Sequence, residues 1–272
     1  MMRETELNEF RETVWDYYRQ HGRHDLPWRQ LKRGQLDPYR VLVSELMLQQ
    51  TQVGRVIPKY RAFLAVFPSL KVLAAAEQAA VLRAWSGLGY NRRAKFLHQT
   101  AQRVMTDFKG VLPATSAELV ALPGVGANTA GAILAYAFNQ PVTFLETNTR
   151  TVYIHHFFAD HTTVPDANLL PIVAQTVDQE HPCEWYWALM DYGSFLKQTI
   201  GNAARASAGY SKQSRFEGSK RQIRGQVLRL LAAGDCTRNQ LQQAIADERL
   251  MDVLADLESE ALIRRRGLNY HL

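Results

Sequence analysis

The sequence has little cysteine, no long apolar run and no signal-peptide core. Its two cysteines, Cys183 and Cys236, are too few for a disulfide framework and exclude a structural four-cysteine metal site. No apolar run is long enough to cross a membrane, and the N-terminal stretch MMRETELNEFRETVW is charged and amphipathic. We therefore expect a cytoplasmic protein with no membrane partner.

Length and charge bound the answer further. A chain of 272 residues with 46% hydrophobic residues can form one large domain or two smaller ones around a substantial core. Its net charge of +6 and isoelectric point near 9.4 are compatible with a polyanionic partner, although many basic proteins bind no nucleic acid.

Helical patterns dominate the chain. Apolar residues at spacings of three and four predict a helix over 5–20, and Asp37 followed by Pro38 predicts the capped start of another. The short segment VTFLE, residues 142–146, is the main strand-like stretch. Further helices are expected at about 55–66, 69–75, 78–85, 91–107, 116–121, 128–138 and 149–158, and a helical block at 166–199.

Composition changes near residue 200. Small, polar and basic residues over 201–218 predict a linker between a first domain, 1–200, and a module at 219–272. That module shows three helical patterns and a tail, IRRRGLNYHL, with a glycine turn between two strand-like halves. It resembles a winged helix–turn–helix, with Arg264–Arg266 favouring a wing that faces DNA; a plain helical cap on the first domain is the alternative.

Residues 122–138, LPGVGANTAGAILAYAF, form a pattern typical of a phosphate clamp. Gly124 and Gly126 flank one apolar residue, which allows positive φ and uncovers amide groups before an Ala-rich helix. Free amides at a helix N-terminus attract anions. A helix–turn–helix linker with capping glycines is the alternative.

Two acids are candidates for chemistry. Glu45 lies within the apolar pattern of the helix after Pro38, where partial burial would raise its pKa and suit it to general-acid work. Glu146 precedes the helix at about 149–158. A surface or core-satisfied glutamate is the alternative for Glu45, and helix capping is the alternative for Glu146.

Several motifs together resemble one family. LPWR at 26–29, DPYRVLVSELMLQQTQV at 37–53, WSGLGYNRRAKFLH at 85–98, LPGVGANTAGAI at 122–133, VIPKY at 56–60 and MDYG at 190–193 occur in one order. The chain is thereby similar to helix–hairpin–helix DNA glycosylases, above all the adenine glycosylases that act at A/G-type mismatches. The similarity covers about residues 20–200.

The resemblance implies an all-α, two-lobed glycosylase fold that flips a base from the duplex and hydrolyses its bond to the sugar. Glu45 matches the acid that protonates the purine, and Glu146 falls where the family carries an aspartate that stabilises the sugar cation. The remaining matches are Trp28, Arg29, Leu48, Asp191 and Asn128 in the base pocket; Gln50, Thr51, Leu88 and Tyr90 in the wedge that meets the opposite base; and Gly124, Val125, Gly126 and Thr129 at the DNA phosphate.

Four departures from the family pattern shape the expectation. Asn128 stands where lyase-competent relatives such as endonuclease III carry a lysine, so we expect a monofunctional glycosylase. Glu146 replaces aspartate, whose shorter side chain would place the carboxylate differently. The family's iron–sulfur cysteines have no counterpart after MDYG, so no cluster is expected, although an alkali-metal ion at the hairpin stays open. The 8-oxoguanine-reading C-terminal domain is also expected to be absent. Basic residues that could replace contacts supported by the cluster loop are Lys197, Arg205, Lys212, Arg215, Lys220 and Arg221.

The expected partner is double-stranded DNA with a mismatched or damaged base pair. The protein itself is expected to be a monomer associated with the nucleoid. One lobe is expected to hold the helices from about 38 to 140, and the other the N-terminal helix with about 145–200. Two other functions stay open: a mismatch thymine or uracil glycosylase on the same fold, and a DNA-binding repair or regulatory protein that has lost catalysis. Base release from different duplexes separates them.

Overall fold

A computed structural model describes residues 3–31, 36–212 and 214–272. The chain is mainly helical and divides into two compact units. The first comprises Met1–Val41, Ala114–Ala121 and Val125–Lys212, and the second comprises Leu42–Pro113, Leu122–Gly124 and Gln213–Leu272. Within the described part of the chain, no helix has the length and apolarity needed to cross a bilayer.

The helices and strands follow the sequence patterns closely. Asp37 caps the helix that begins at Pro38, as expected, because its Oδ1 accepts the Tyr39 amide at 3.0 Å. The helices are α1 Glu4–His21, α2 Pro38–Leu48, α3 Val53–Val66, α4 Leu70–Ala74, α5 Gln78–Trp85, α6 Arg92–Asp107, α7 Ser116–Val120, α8 Ala127–Phe138, α9 Thr147–Phe157, α10 Asp166–Thr176, α11 Pro182–Thr199, α12 Lys220–Ala233, α13 Arg238–Ala244 and α14 Leu250–Ser259; the strands are β1 Cys236–Thr237, β2 Arg264–Arg266 and β3 Asn269–His271.

The core of the first unit is aromatic and centres on α11, which packs against α1, α8 and α9. The ring of Phe10 on α1 lies 5.1 Å from that of Tyr153 on α9 and 6.0 Å from that of Trp185 on α11. The buried Tyr153 hydroxyl shares a hydrogen bond of 2.5 Å with Thr176. This packing fixes the start of α9, where Glu146 lies.

The predicted lobe boundary differs from the observed one. Helices α7 and α8 were expected with the helices from 38 onward, but they belong to the first unit because α8 packs on α11 and α7. Gly131 in α8 permits the close approach of the segment 142–146, since a Cβ there would lie 2.6 Å from the Phe144 Cβ.

One local expectation was wrong, and a second stays a prediction. Residues 142–146 form no strand; this extended segment is held by α11, because the Tyr186 hydroxyl donates to the Val142 carbonyl at 2.7 Å and its ring stacks on Phe144. The linker expected over 201–218 stays a prediction, and part of this segment carries regular structure. A 3-10 helix at Ala203–Ala206 buries Ala204, and Val164 pairs with the backbone of this segment through two hydrogen bonds.

The second unit contains α3–α6 and the C-terminal residues 214–272. In the C-terminal part, β1, β3 and β2 form an antiparallel sheet in that order, so the predicted hairpin is present and β1 is an additional strand. Gln78 Nε2 donates to the Ala261 carbonyl at 2.7 Å, and Lys95 Nζ donates to the Glu260 carbonyl at 2.6 Å. These bonds attach the C-terminal residues to α5 and α6; the winged-helix interpretation stays a prediction.

Gly193 of the MDYG motif provides a test of the first unit's packing. A Cβ at Gly193 would lie 2.3 Å from the Asn148 carbonyl oxygen, so Gly193→Ala should lower the free energy of unfolding by about 1–3 kcal/mol. Gly225→Ala is the matched control: its Cβ meets nothing within 4 Å in α12, so it should stabilise by about 0.5–1 kcal/mol. Urea denaturation followed by circular dichroism measures both, and equal effects would contradict the close α9–α11 contact.

Candidate functional site

Glu45 lies on the last two turns of α2, in a mainly apolar stretch of the helix. Its neighbours Ser44 and Leu46 are buried, whereas Glu45 keeps intermediate exposure. The sequence pattern predicted this partly desolvated position. A carboxyl group placed this way is partly shielded from water and still accessible to a ligand.

Glu146 occupies the N-cap position of α9, but its side chain makes no capping hydrogen bond. The capping interpretation is therefore not supported. The Glu146 side chain has intermediate exposure. Its removal from water raises the pKa of Glu146 from the ordinary 4.5 to about 7, and the positive charge of Arg150 works to lower it. Arg150 is itself engaged by Asp166 through two hydrogen bonds of 2.8 and 2.6 Å. Glu146 is thus a carboxyl group that titrates near neutral pH.

Two of the predicted base-pocket residues form a buried ion pair in the first unit. Both terminal nitrogens of Arg29 donate to the Asp191 carboxylate at 2.8 Å, and the Arg23 backbone amide adds a bond of 2.7 Å. Burial works to raise the pKa of Asp191, but the hydrogen bonds and charge of Arg29, with those of Arg23, outweigh it and hold the pKa below its usual range. Asp191 is 2% exposed and fully engaged, so its structural role is to fix the Arg29 guanidinium.

Arg29 keeps one donor unused. Its Nε is buried and has no hydrogen-bond partner among the described residues, while its guanidinium carbon lies 5.1 Å from the Trp187 ring centroid. Trp28 is also buried, whereas Asn128 at the start of α8 is exposed. The other predicted pocket residue, Leu48 on α2, has intermediate exposure.

The predicted wedge residues occupy two turns of the second unit. Gln50 follows α2 with φ +52°, and Tyr90 precedes α6 with φ +47°, which are left-handed conformations that non-glycine residues seldom adopt. Gln50 is exposed and Tyr90 is 36% exposed, while Thr51 is intermediate. Leu88 differs from expectation because it is only 2% exposed and belongs to the core of this unit.

Arg93 joins these two turns, and sequence reasoning missed it. The buried guanidinium donates through Nη1 to the carbonyls of Leu46 and Gln49, each at 2.6 Å, and through Nη2 to the Thr51 hydroxyl at 3.0 Å and the Gly89 carbonyl at 3.1 Å. Burial lowers the pKa of Arg93 to about 10, so it stays charged at neutral pH. The available signal was its place on the apolar face of α6, where an unpaired charge would be costly.

Of the two glycines in the turn before α8, one has the positive φ that the sequence pattern allows. Gly124 has φ +74°, and a Cβ there would lie 2.7 Å from that of Phe96, so only glycine fits. Gly126 instead adopts extended backbone with φ −85°, which corrects the expectation of positive φ at both glycines. A Cβ at Gly126 meets nothing within 4 Å, and Gly126, as the N-cap residue of α8, provides no side-chain cap. Val125 is buried, while Thr129 on the first turn of α8 has intermediate exposure.

The described residues do not fit a thiolate-bound cluster. Cys183 is buried in α11 of the first unit, and burial raises the pKa of its thiol far above the ordinary value. Cys236 belongs to the second unit, and among the described residues no three His, Cys, Asp or Glu side chains are grouped to hold a metal.

Comparison with known proteins identifies the family. Residues 43–168 match the HhH-GPD superfamily of base excision DNA repair proteins. The chain is 34% identical to an adenine DNA glycosylase of Mycobacterium tuberculosis over 273 residues, which cover 92% of this chain and 88% of that protein. It is 34% identical to that of Mycolicibacterium smegmatis, covering 78% and 76% of the two chains. For that of Buchnera aphidicola subsp. Baizongia pistaciae the identity is 36%, and the chain spans 52% of the relative.

Solved structures support the fold. A thermostable thymine-DNA glycosylase matches with a TM-score of 0.60 and 23% identity, covering 70% of this chain and 87% of the other. A non-covalent endonuclease III–DNA complex matches with a TM-score of 0.56 and 14% identity, covering 73% and 87%. The chain belongs to the HhH-GPD superfamily, and within it to the family of adenine DNA glycosylases.

The raised pKa of Glu146 predicts a pH-dependent stability. Because the folded-state pKa of about 7 exceeds the ordinary 4.5, deprotonation between these values favours the unfolded chain, and stability is lost as pH rises. Glu146→Gln removes this cost. Its melting temperature should match the wild type near pH 5 and exceed it by about 3 °C or more near pH 8. A difference that does not change with pH would contradict the desolvation of Glu146.

Proposed function

We propose that this chain hydrolyses the N-glycosidic bond of an adenine flipped out of mismatched or oxidised duplex DNA. The observation that carries the proposal is its similarity to adenine DNA glycosylases along most of its length, with both predicted acids in partly desolvated positions. The target pairs are adenine opposite 8-oxoguanine or guanine.

In this reaction Glu45 is the general acid. It donates a proton to a ring nitrogen of adenine as the bond between that base and C1′ breaks, so the bonding electrons leave with a neutral base. The sugar becomes an oxocarbenium ion, and water then adds to C1′ and releases a proton to the Glu45 carboxylate, which restores the acid. Shielding of Glu45 by the apolar residues of α2 supports this role.

Glu146 supplies the second carboxylate. In its ionised form it stabilises the positive charge on the sugar, which requires loss of its own proton near neutral pH. The glutamate side chain is one methylene longer than that of the family's aspartate, so the carboxylate must be held back by the surrounding structure. The packing of α9 against α11 supports such a fixed position.

DNA binding rests on the turn before α8 and on the wedge turns. The open space at Gly126 and its position as a glycine N-cap of α8 support backbone binding of a phosphate. The exposed Gln50 and Tyr90 support insertion into the duplex beside the base opposite the target. Arg29 Nε, buried and unused, supports a polar contact with the extruded base.

Single-turnover base release tests the specificity. Duplexes with A:8-oxoguanine, A:G, T:G and U:G should give adenine release from the first two alone. In Glu45→Gln the side chain keeps its size but cannot donate the proton, so adenine release should fall by about 100-fold or more while duplex binding persists. Release of thymine or uracil would contradict the adenine specificity and favour a mismatch thymine or uracil glycosylase. Duplex binding without release of any base would show that the chain binds DNA but lacks catalysis.

Asn128 predicts the absence of lyase chemistry. Its amide cannot form a Schiff base with the sugar aldehyde, so sodium borohydride should trap no covalent protein–DNA complex during adenine release. Endonuclease III with its own substrate is the positive control. A trapped complex would mean that another amine of this chain attacks C1′.

A further inference from the structure

The C-terminal residues of the second unit contact one of the wedge residues directly. Arg221, on the first turn of α12, donates through Nη1 to the Tyr90 hydroxyl at 2.7 Å, although the two residues lie 131 positions apart. The Arg221 guanidinium carbon is also 5.7 Å from the Tyr90 ring centroid. Ser214 holds the other terminal nitrogen through its carbonyl at 2.5 Å and its hydroxyl at 3.2 Å. Arg221 is therefore anchored independently of Tyr90.

Tyr90 is held by a second cation. The Arg93 guanidinium carbon lies 5.4 Å from the same ring centroid, and Arg93 Nε donates to the Tyr90 carbonyl at 3.4 Å. Arg93 thus fixes the backbone of a residue in a left-handed conformation, while Arg221 fixes the far end of its side chain. An exposed tyrosine whose backbone and hydroxyl are both bonded loses little further conformational entropy when it binds a ligand.

Helix stability does not account for an arginine at this place. The first turn of α12 carries Lys220 and Arg221 and no acidic residue, although the positive end of the helix dipole disfavours cations. Lys220 lies 3.8 Å from Asp256, whereas Arg221 points its guanidinium at Tyr90 and Ser214. The cost at the helix terminus is offset by contacts outside the helix.

We propose that Arg221 is a positioning residue for Tyr90: it holds the ring in the orientation that enters duplex DNA beside the base opposite the target. The inference rests on the function proposed above and assigns the C-terminal residues a part in recognising the mismatch. Arg221 acts through Tyr90 and not through the phosphate backbone.

A double-mutant cycle tests this assignment in the full-length chain. Arg221→Gln and Tyr90→Phe each break the same hydrogen bond, and binding is measured to an A:8-oxoguanine duplex whose target adenine carries a 2′-fluorine that resists hydrolysis. Each single variant should weaken binding to the mismatched duplex about tenfold, and the double variant should weaken it no more than either single variant does. Binding to a matched duplex should change less than about twofold. The affinity of Arg221→Lys should lie between those of the wild type and Arg221→Gln, since one ammonium group cannot bond both Tyr90 and Ser214 as the two terminal nitrogens of Arg221 do.

Arg229→Gln is the control variant. Arg229 is exposed on the same helix, so this change removes the same charge without touching Tyr90, and mismatch binding should stay at the wild-type level. Circular dichroism melting of each variant checks that the fold persists.

Two results would overturn the proposal. Multiplicative losses in the double variant would show that the two residues act separately. An equal loss on matched duplex, with a salt slope reduced by about one, would make Arg221 a phosphate contact. If the wild type releases no adenine, the proposed function fails, but the binding cycle still decides whether Arg221 acts through Tyr90.

Discussion

One buried guanidinium holds together the two turns of the second unit that carry the proposed wedge residues. Arg93 bonds the last carbonyls of α2 and the turns that follow α2 and precede α6. A helix ends with carbonyls that its own backbone cannot satisfy, and a turn with positive φ is unstable by itself. Because one rigid, planar donor satisfies both, Gln50 and Tyr90 are presented from a common support. The burial that lowers the pKa of Arg93 also strengthens each of these bonds.

The first unit also contains a buried arginine, but here its partner is a carboxylate. Arg29 and Asp191 form a buried pair with two parallel bonds, and Arg23 completes the carboxylate's partners. Such a pair adds little net stability, since desolvation of both charges opposes their attraction. Its effect is geometric: it fixes Arg29 in one orientation with its Nε still unused. In both units, therefore, an arginine that is anchored by other groups defines the local shape.

The sequence predicted features whose cause is local. Asp37 and Pro38 specify the start of α2 through capping alone, and Gly124 specifies its turn because no other residue tolerates both the conformation and the approach of Phe96. Features with a distant cause could not be predicted. The segment 142–146 has strand composition, but it pairs with no strand and is held instead by the hydroxyl and ring of Tyr186 on α11. Arg93 was not singled out by any sequence pattern, and Arg221 was expected only as a basic residue that could contact DNA, because the turns that they bond lie far away in the sequence.

The two left-handed residues of the wedge turns have a consequence for the evolution of this chain. Glycine would relieve the backbone at positions 50 and 90, as it does at Gly87 and Gly89 in the same loop. A laboratory selection for heat resistance alone would therefore favour glycine at both places, while selection for the proposed DNA binding would retain glutamine and tyrosine. These two positions mark where thermal stability and the proposed activity make opposite demands.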